Sequence, residues 1–333
     1  MDNLLLFDDK AGERNGIAEA VATKCGLALQ VAEYTASDST WPDVVMQNET
    51  KNVALIFVDH CLKDATNTER RLFDNGSSLC MAIRKKWSCV PVVGISAAAY
   101  EDVGADDRRE YTDFIPLSKI GDDETIAKLK SMIDGFYLLK SFGSEIVCGH
   151  LKRLFNNSKA DIELLQRIVP NEIMEGKCVD AGHLLYKWFC DVLFNYQGIL
   201  VDGEMIAASI GIKFQSFLDN IAEKLESCKY SGIFAGLMGA RYWRDDVFAK
   251  LAEIVEDDGE MLMSHYVDKL KKSDDDIERC FCCDKPYTEL IANEEESATC
   301  TNRHAVHFKC VAPANLPSYS YFDPIYVPLE GAS

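Results

Sequence analysis

The amino-acid sequence predicts an α/β doubly wound, five-stranded parallel sheet, followed by an α-helical domain and a small cysteine- and histidine-rich segment. Three observations carry that prediction. Residues 53–58, Val-Ala-Leu-Ile-Phe-Val, are six apolar residues in a row, half of them β-branched, ending in Asp59. Such a run suits a strand buried on both faces of a parallel sheet. From 143 to 272 the apolar residues recur at three and four, the period of packed helices. Finally, five of the 13 cysteines crowd into residues 280–310, where the rest of the segment is too polar to supply a core. The corresponding domains are 1–134, 135–272 and 273–333.

Taken in order, Leu4-Leu5-Leu6-Phe7 is a first buried strand that runs into Asp8-Asp9. Glu13–Cys25 reads as an amphipathic helix, with Ile17, Ala18, Val21 and Ala22 on one face. A weak strand, Ala28–Glu33, follows, then a polar loop and a short helix over Pro42–Asn48. The Asp59 strand comes next. After a charged insert, 62–75, the segment Gly76–Trp87 is helical, and its terminal Arg84-Lys85-Lys86 complements the helix dipole. Val90–Ile95 is a fourth strand ending at Ser96, and Phe114–Leu117 a fifth ending at Ser118-Lys119. Asp122-Asp123-Glu124 opens a long apolar helix to 142. Further helices are expected over His183–Tyr196, Met205–Cys228, Tyr242–Val255 and Glu260–Lys272.

Four strands thus end, in order, with an acidic pair, an Asp, a hydroxyl and an amine. Open α/β sheets place their chemistry at the carboxyl ends of the strands. The ordered set Asp8, Asp9, Asp59, Ser96 and Lys119 resembles the receiver domain of two-component response regulators, a flavodoxin-like fold. The resemblance covers about the first 134 residues. It implies that Asp59 accepts a phosphoryl group and that Asp8 and Asp9 help Asp59 to hold Mg²⁺. It further implies that Ser96 contacts the phosphoryl oxygens and Lys119 neutralises their charge, with a histidine kinase or a small phosphodonor as partner. The chain departs from the family in its long insert after Asp59. Ile120 also follows Lys119 where receivers carry Pro, and Pro116 takes the usual aromatic position.

The chemistry asks for those residue types. A carboxylate that attacks an anionic phosphoryl donor needs a hard cation, held by oxygen ligands, to screen the approach. A hydroxyl and an ammonium then stabilise the equatorial oxygens, since catalysis of phosphoryl transfer is largely positional.

The net charge of −19 argues against sequence-independent nucleic-acid binding, which needs clustered Lys and Arg, and against anionic membranes. No stretch reaches 18 apolar residues and the first residues are acidic, so neither a membrane span nor a leader is expected. Eight cysteines scattered singly through apolar surroundings fit reduced thiols and a cytoplasmic location.

In the last segment, Cys280 and Cys283 form a Cys-x2-Cys pair, and His307 and Cys310 a His-x2-Cys pair. Cys300 and His304 lie between them. Two-residue spacing lets a tight knuckle aim both ligands at one tetrahedral Zn²⁺, which would supply much of a small segment's folding energy. The order resembles a RING-type zinc finger that lacks its last cysteine pair. The expected site is Cys280, Cys283, His307 and Cys310, a treble-clef-like set, with Cys300, His304 and Cys282 as substitutes. No acidic residue is spaced as the base of a catalytic zinc.

These features predict a phospho-accepting signalling protein whose output passes through protein–protein contacts. Its chemistry would be limited to taking a phosphoryl group from a donor and losing it again. The competing expectation is a receiver-like adaptor that is never phosphorylated and serves as a binding platform. A zinc-dependent enzyme with the receiver as regulator is a third.

Overall fold

In the computed structural model the described residues are 2–8, 11–32, 41–62, 76–98, 102–156, 162–195, 198–256, 266–280, 290–294 and 303–307. The chain divides into two compact units. One contains residues 1–188 with 232–237, the other residues 189–231 with 238–333.

The first unit is built on five strands: β1 (Asn3–Phe7), β2 (Ala28–Val31), β3 (Val53–Asp59), β4 (Val92–Ser96) and β5 (Asp113–Pro116). They form one parallel sheet in the order β2-β1-β3-β4-β5. This doubly wound order reverses direction between β1 and β3, where such sheets open a crevice at their carboxyl edge. Every residue of β3 and β4 is buried, as is all of β1 beyond Asn3. The edge strand β2 is half-exposed, and Pro116 closes the other edge strand, where its missing N–H costs least. The crossovers carry α1 (Ala11–Lys24), α2 (Trp41–Gln47), α3 (Cys80–Lys86) and α4 (Ala105–Glu110). A 3₁₀ turn, Gly76–Leu79, leads into α3. One face of the sheet packs Leu5, Phe7, Ile56 and Val58 against Trp41, Val45, Leu79 and Ile83.

The helix α5 (Asp123–Phe142) is 20 residues long, so the boundary expected at residue 134 falls inside it. The same unit continues through α6 (Leu151–Phe155), α7 (Ile162–Ile168), α8 (Asn171–Met174) and α9 (Cys178–Trp188). Backbones approach closely here because glycines permit it. A Cβ on Gly182 would lie 2.7 Å from the Phe136 ring, and one on Gly135 would enter the Phe234 ring.

α9 also seats on the start of β5. The Tyr186 hydroxyl donates to Asp113 Oδ2 at 3.1 Å, and Lys128 Nζ lies 2.7 Å from the same oxygen. Tyr186→Phe removes that hydrogen bond to a charged acceptor, and a loss of about 1–2 kcal/mol is expected in urea unfolding of this unit.

In the second unit the single helix expected over Met205–Cys228 is three pieces: α10 (Gly203–Ile210), α11 (Phe214–Asn220) and a 3₁₀ segment, Ala222–Cys228. The break falls at Gly211, whose φ of 75° ends α10 in the left-handed conformation that glycine tolerates. Tyr242–Trp243, expected to begin a helix, is instead the strand β7. It pairs antiparallel with β6 (Leu200–Val201), and α12 (Arg244–Val255) follows. Only α13 (Tyr266–Leu270) of the helix expected over Glu260–Lys272 is helical among the described residues. β8 (Leu290–Glu294) and β9 (Arg303–His307) make an antiparallel pair. The core gathers Met205, Ile206, Phe217, Leu225, Val247, Leu251 and Cys280.

Candidate functional site at the carboxyl edge of the sheet

The strand registers bring the expected polar residues to one edge. Phe7 pairs with Val58, so Asp8 leaves β1 beside Asp59, the last residue of β3. Asp59 pairs with Ile95, and Ser96 ends β4 one step further along. Ser96 in turn pairs with Pro116 at the end of β5, three residues before Lys119. Asp8, Asp59 and Ser96 are 4%, 1% and 1% exposed, which places two carboxylates and a hydroxyl in a water-poor edge. Asp9 lies outside the described residues.

The local backbone explains the placement. Ser96 Oγ accepts from the Ala98 N–H at 3.1 Å, which leaves its own hydrogen for donation. The Leu117 N–H donates to Ser96 O at 2.8 Å and the His60 N–H to Ile95 O at 2.8 Å, so the ladder continues past the strand ends. Beside Asp59, the Gly76 N–H donates to His60 O at 2.7 Å. Lys119 sits on the exposed turn after β5, its N–H bonded to Pro116 O at 2.9 Å.

Behind Asp59 lies an aromatic group that the sequence reading did not single out. Tyr111 is fully buried, and its hydroxyl is 3.2 Å from His60 Nδ1. Phe114 and Tyr111 both meet the His60 ring edge-on. Burial, reinforced by nearby acidic groups that include Asp59, pushes the Tyr111 hydroxyl well above its ordinary pKa, so it stays protonated. The signal available in the sequence was Gly94. A Cβ there would lie 2.6 Å from the Tyr111 ring, which is why a glycine interrupts an otherwise β-branched strand.

A second buried titratable group is His183, on α9. Both ring nitrogens lie 3.3 Å from Arg84 Nη2, and Nδ1 is 3.5 Å from Thr112 Oγ1. Burial, with Arg84 and Lys187 adding repulsion, lowers its pKa to about 3. The Cys80 and Cys89 thiols are pushed up to about 12 by burial, so they are packing residues rather than nucleophiles.

The expected zinc ligands are only partly visible. Cys280 is 1% exposed and packs in the apolar core of the second unit. His304 and His307 belong to β9, opposite Asn293 and Leu290 of β8. Cys282, Cys283, Cys300 and Cys310 lie outside the described residues. Among the described residues no three His, Cys, Asp or Glu side chains converge as a metal site, and no helix is long and apolar enough to cross a membrane.

No family model matches the chain, and no curated protein matches it. Solved structures with some likeness include NtrX from Brucella abortus, crystallised with ADP. It is 18% identical over 50% of this chain and 35% of its own, with a TM-score of 0.29. The chain therefore spans about a third of the length of NtrX. Another is the response regulator RcsB from Salmonella typhimurium, studied for its DNA interaction. It is 10% identical over 55% of this chain and 98% of its own, with a TM-score of 0.27. The fold assignment rests on the strand order and register of the chain itself.

Proposed function

We propose that this protein is a phospho-accepting signalling protein of the two-component type, with Asp59 as the acceptor. The observation that carries the reading is the register. It sets Asp8, Asp59 and Ser96, all buried, at the ends of the three central strands of a parallel sheet. A carboxylate oxygen of Asp59 would attack phosphorus, forming an O–P bond as the donor's P–N or P–O bond breaks. The leaving imidazole or acetate departs with that electron pair. Ser96 would donate to a phosphoryl oxygen, and the four-carbon stem of Lys119 lets an ammonium approach from the turn after β5.

Buried carboxylates on adjacent strand ends are the hard oxygen ligands that Mg²⁺ prefers. Asp8 and Asp59, with Asp9, would hold it, and its charge would screen the anionic donor. A histidine kinase or an acyl phosphate fits as donor. The net charge of −19 favours a protein rather than a nucleic acid as output partner.

Intact-mass spectrometry with acetyl phosphate and Mg²⁺ tests this reading. One phosphoryl group should add to the wild-type chain and none to Asp59→Asn. Ser96→Ala should slow uptake by about 100–1,000-fold, the usual cost of one lost transition-state donor. A mass gain that persists in Asp59→Asn rejects Asp59 as the acceptor.

A second reading is favoured by Lys119, which is exposed on the turn after β5. Here the sheet edge is a binding platform that is never phosphorylated, and a wild-type chain that takes up neither phosphate nor beryllofluoride would establish it.

For the last segment we propose a structural Zn²⁺ on Cys280, Cys283, His307 and Cys310, supported by the paired two-residue spacings. Cys283→Ser and His307→Ala should each lose the metal and destabilise the segment together. Metal loss without unfolding would count against a structural role.

A further inference from the structure

Asp59 ends β3, and the residue that follows it is held at both its backbone and its ring. The His60 N–H donates to Ile95 O at 2.8 Å, its carbonyl accepts from the Gly76 N–H at 2.7 Å, and its ring Nδ1 lies 3.2 Å from the Tyr111 hydroxyl. The backbone bonds belong to the strand edge itself. The ring contact comes from a residue 51 positions away, and glycines make room for it. A Cβ on Gly94 would lie 2.6 Å from the Tyr111 ring. One on Gly76 would lie 2.8 Å from the Tyr111 hydroxyl while falling on the Asp59 carbonyl oxygen. The hydroxyl and that carbonyl thus border the same methyl-sized space.

Packing alone does not ask for this pair. The His60 ring meets Tyr111 and Phe114 edge-on, with centroids 6.2 and 5.9 Å apart, and wholly apolar side chains would fill that space. A fully buried hydroxyl and a half-buried imidazole each need a polar partner, and here each is the other's. The contact fixes the His60 ring, and with it the peptide that joins His60 to Asp59. An attacking carboxylate oxygen must lie in line with the leaving atom of the donor, so angular freedom at Asp59 costs rate rather than donor binding.

We propose that Tyr111 and His60 are a positioning pair for the acceptor. The Tyr111 hydroxyl holds His60, and His60 holds the end of β3 so that the Asp59 carboxylate faces an incoming phosphoryl group. The inference rests on the reading of Asp59 as the acceptor, and it adds two residues that the polar set at the strand ends does not include. In the step itself, an Asp59 oxygen forms the new O–P bond as the P–O bond of acetyl phosphate breaks, and acetate departs with that electron pair. The pair exchanges no proton with the donor. It acts through the geometry of Asp59.

The test is the rate of phosphoryl uptake by the full chain with Mg²⁺, read by intact mass over a range of acetyl phosphate concentrations. The limiting rate should fall about tenfold in Tyr111→Phe and in His60→Leu, within the range that misplacing a reacting group costs. The half-saturating concentration of acetyl phosphate should not move. His60→Asn returns a donor and an acceptor near the place of Nδ1 and should recover most of the rate that His60→Leu loses. Urea midpoints of the same variants separate this from a merely structural role, which would order the rates by stability. A wild-type limiting rate in Tyr111→Phe, equal rates in His60→Asn and His60→Leu, or a loss confined to half-saturation would each overturn the positioning pair and leave Asp59 as acceptor. A wild-type chain that takes up no phosphoryl group would overturn the reading of Asp59 and this inference with it.

Discussion

Gly76→Ala lowers the stability of the sheet-bearing unit by about 2 kcal/mol, within the usual cost of overpacking a filled core. The contrasting variant Gly16→Ala raises it by roughly 0.5–1 kcal/mol. Both substitutions add one methyl group, and their surroundings decide the sign. A Cβ on Gly76 would fall on the carbonyl oxygen of Asp59, 2.7 Å from Val58 Cγ1 and 2.8 Å from the Tyr111 hydroxyl. None of these atoms can retreat easily. The first is backbone at the end of the central strand, and the last belongs to a fully buried ring hydrogen-bonded to His60. Gly16 lies on the exposed side of α1 with nothing within 4 Å of its added Cβ, so alanine there only removes backbone freedom from the unfolded chain. Urea unfolding of both variants, followed by far-ultraviolet circular dichroism, measures the contrast. Equal effects would mean that the packing behind Asp59 is loose.

The second large effect is a pH dependence centred on His183. Its pKa is lowered to about 3 in the folded chain by burial and by Arg84 and Lys187, against an ordinary value near 6.5. Below that ordinary value the unfolded chain binds a proton that the folded chain refuses. Stability therefore falls as pH drops from about 6.5 toward about 3, by as much as roughly 1.4 kcal/mol per pH unit. Below the folded value both states are protonated and the loss levels off. The groups facing the ring offset the charge only in part, through a hydrogen bond to the Arg109 backbone. Arg84 and Lys187 are cationic, Thr112 is neutral, and Glu110 is engaged with Arg84 at 3.7 Å. His183→Gln should remove that part of the slope. Denaturant midpoints at pH 7 and 5, for wild type and variant, check it, and identical slopes in the two would show that His183 does not contribute.

The sheet was legible because its strands are self-announcing. A parallel strand buried on both faces must be apolar throughout, and Leu4–Phe7, Val53–Val58 and Val92–Ile95 are. Turn chemistry then fixed where each strand stops, and with it the residues Asp8, Asp59 and Ser96. Lys119 was placed correctly after β5, yet its side chain stands out on the turn, because linear order fixes where a residue lies along the edge and not where a flexible ammonium points.

The helical region was less legible for a related reason. Its three-and-four periodicity runs on through Gly211, where the chain turns left-handed, and through Tyr242–Trp243, which is apolar enough for a helix but pairs with Leu200–Val201. Periodicity reports that a face is buried and is silent about which element buries it. The boundary at 134 met the same difficulty, since α5 keeps one apolar face along its whole length and its second half packs through Phe136 against α9 at Gly182.

By itself, the sequence determined the parallel sheet and the polar residues at its carboxyl edge, since local apolar runs and their terminators act over a few residues. Only the tertiary structure decided the rest: the seating of α9 on β5 and the Tyr111–His60 pair behind Asp59. These depend on contacts between residues distant along the chain, where close packing and burial set both the spacing and the charge state.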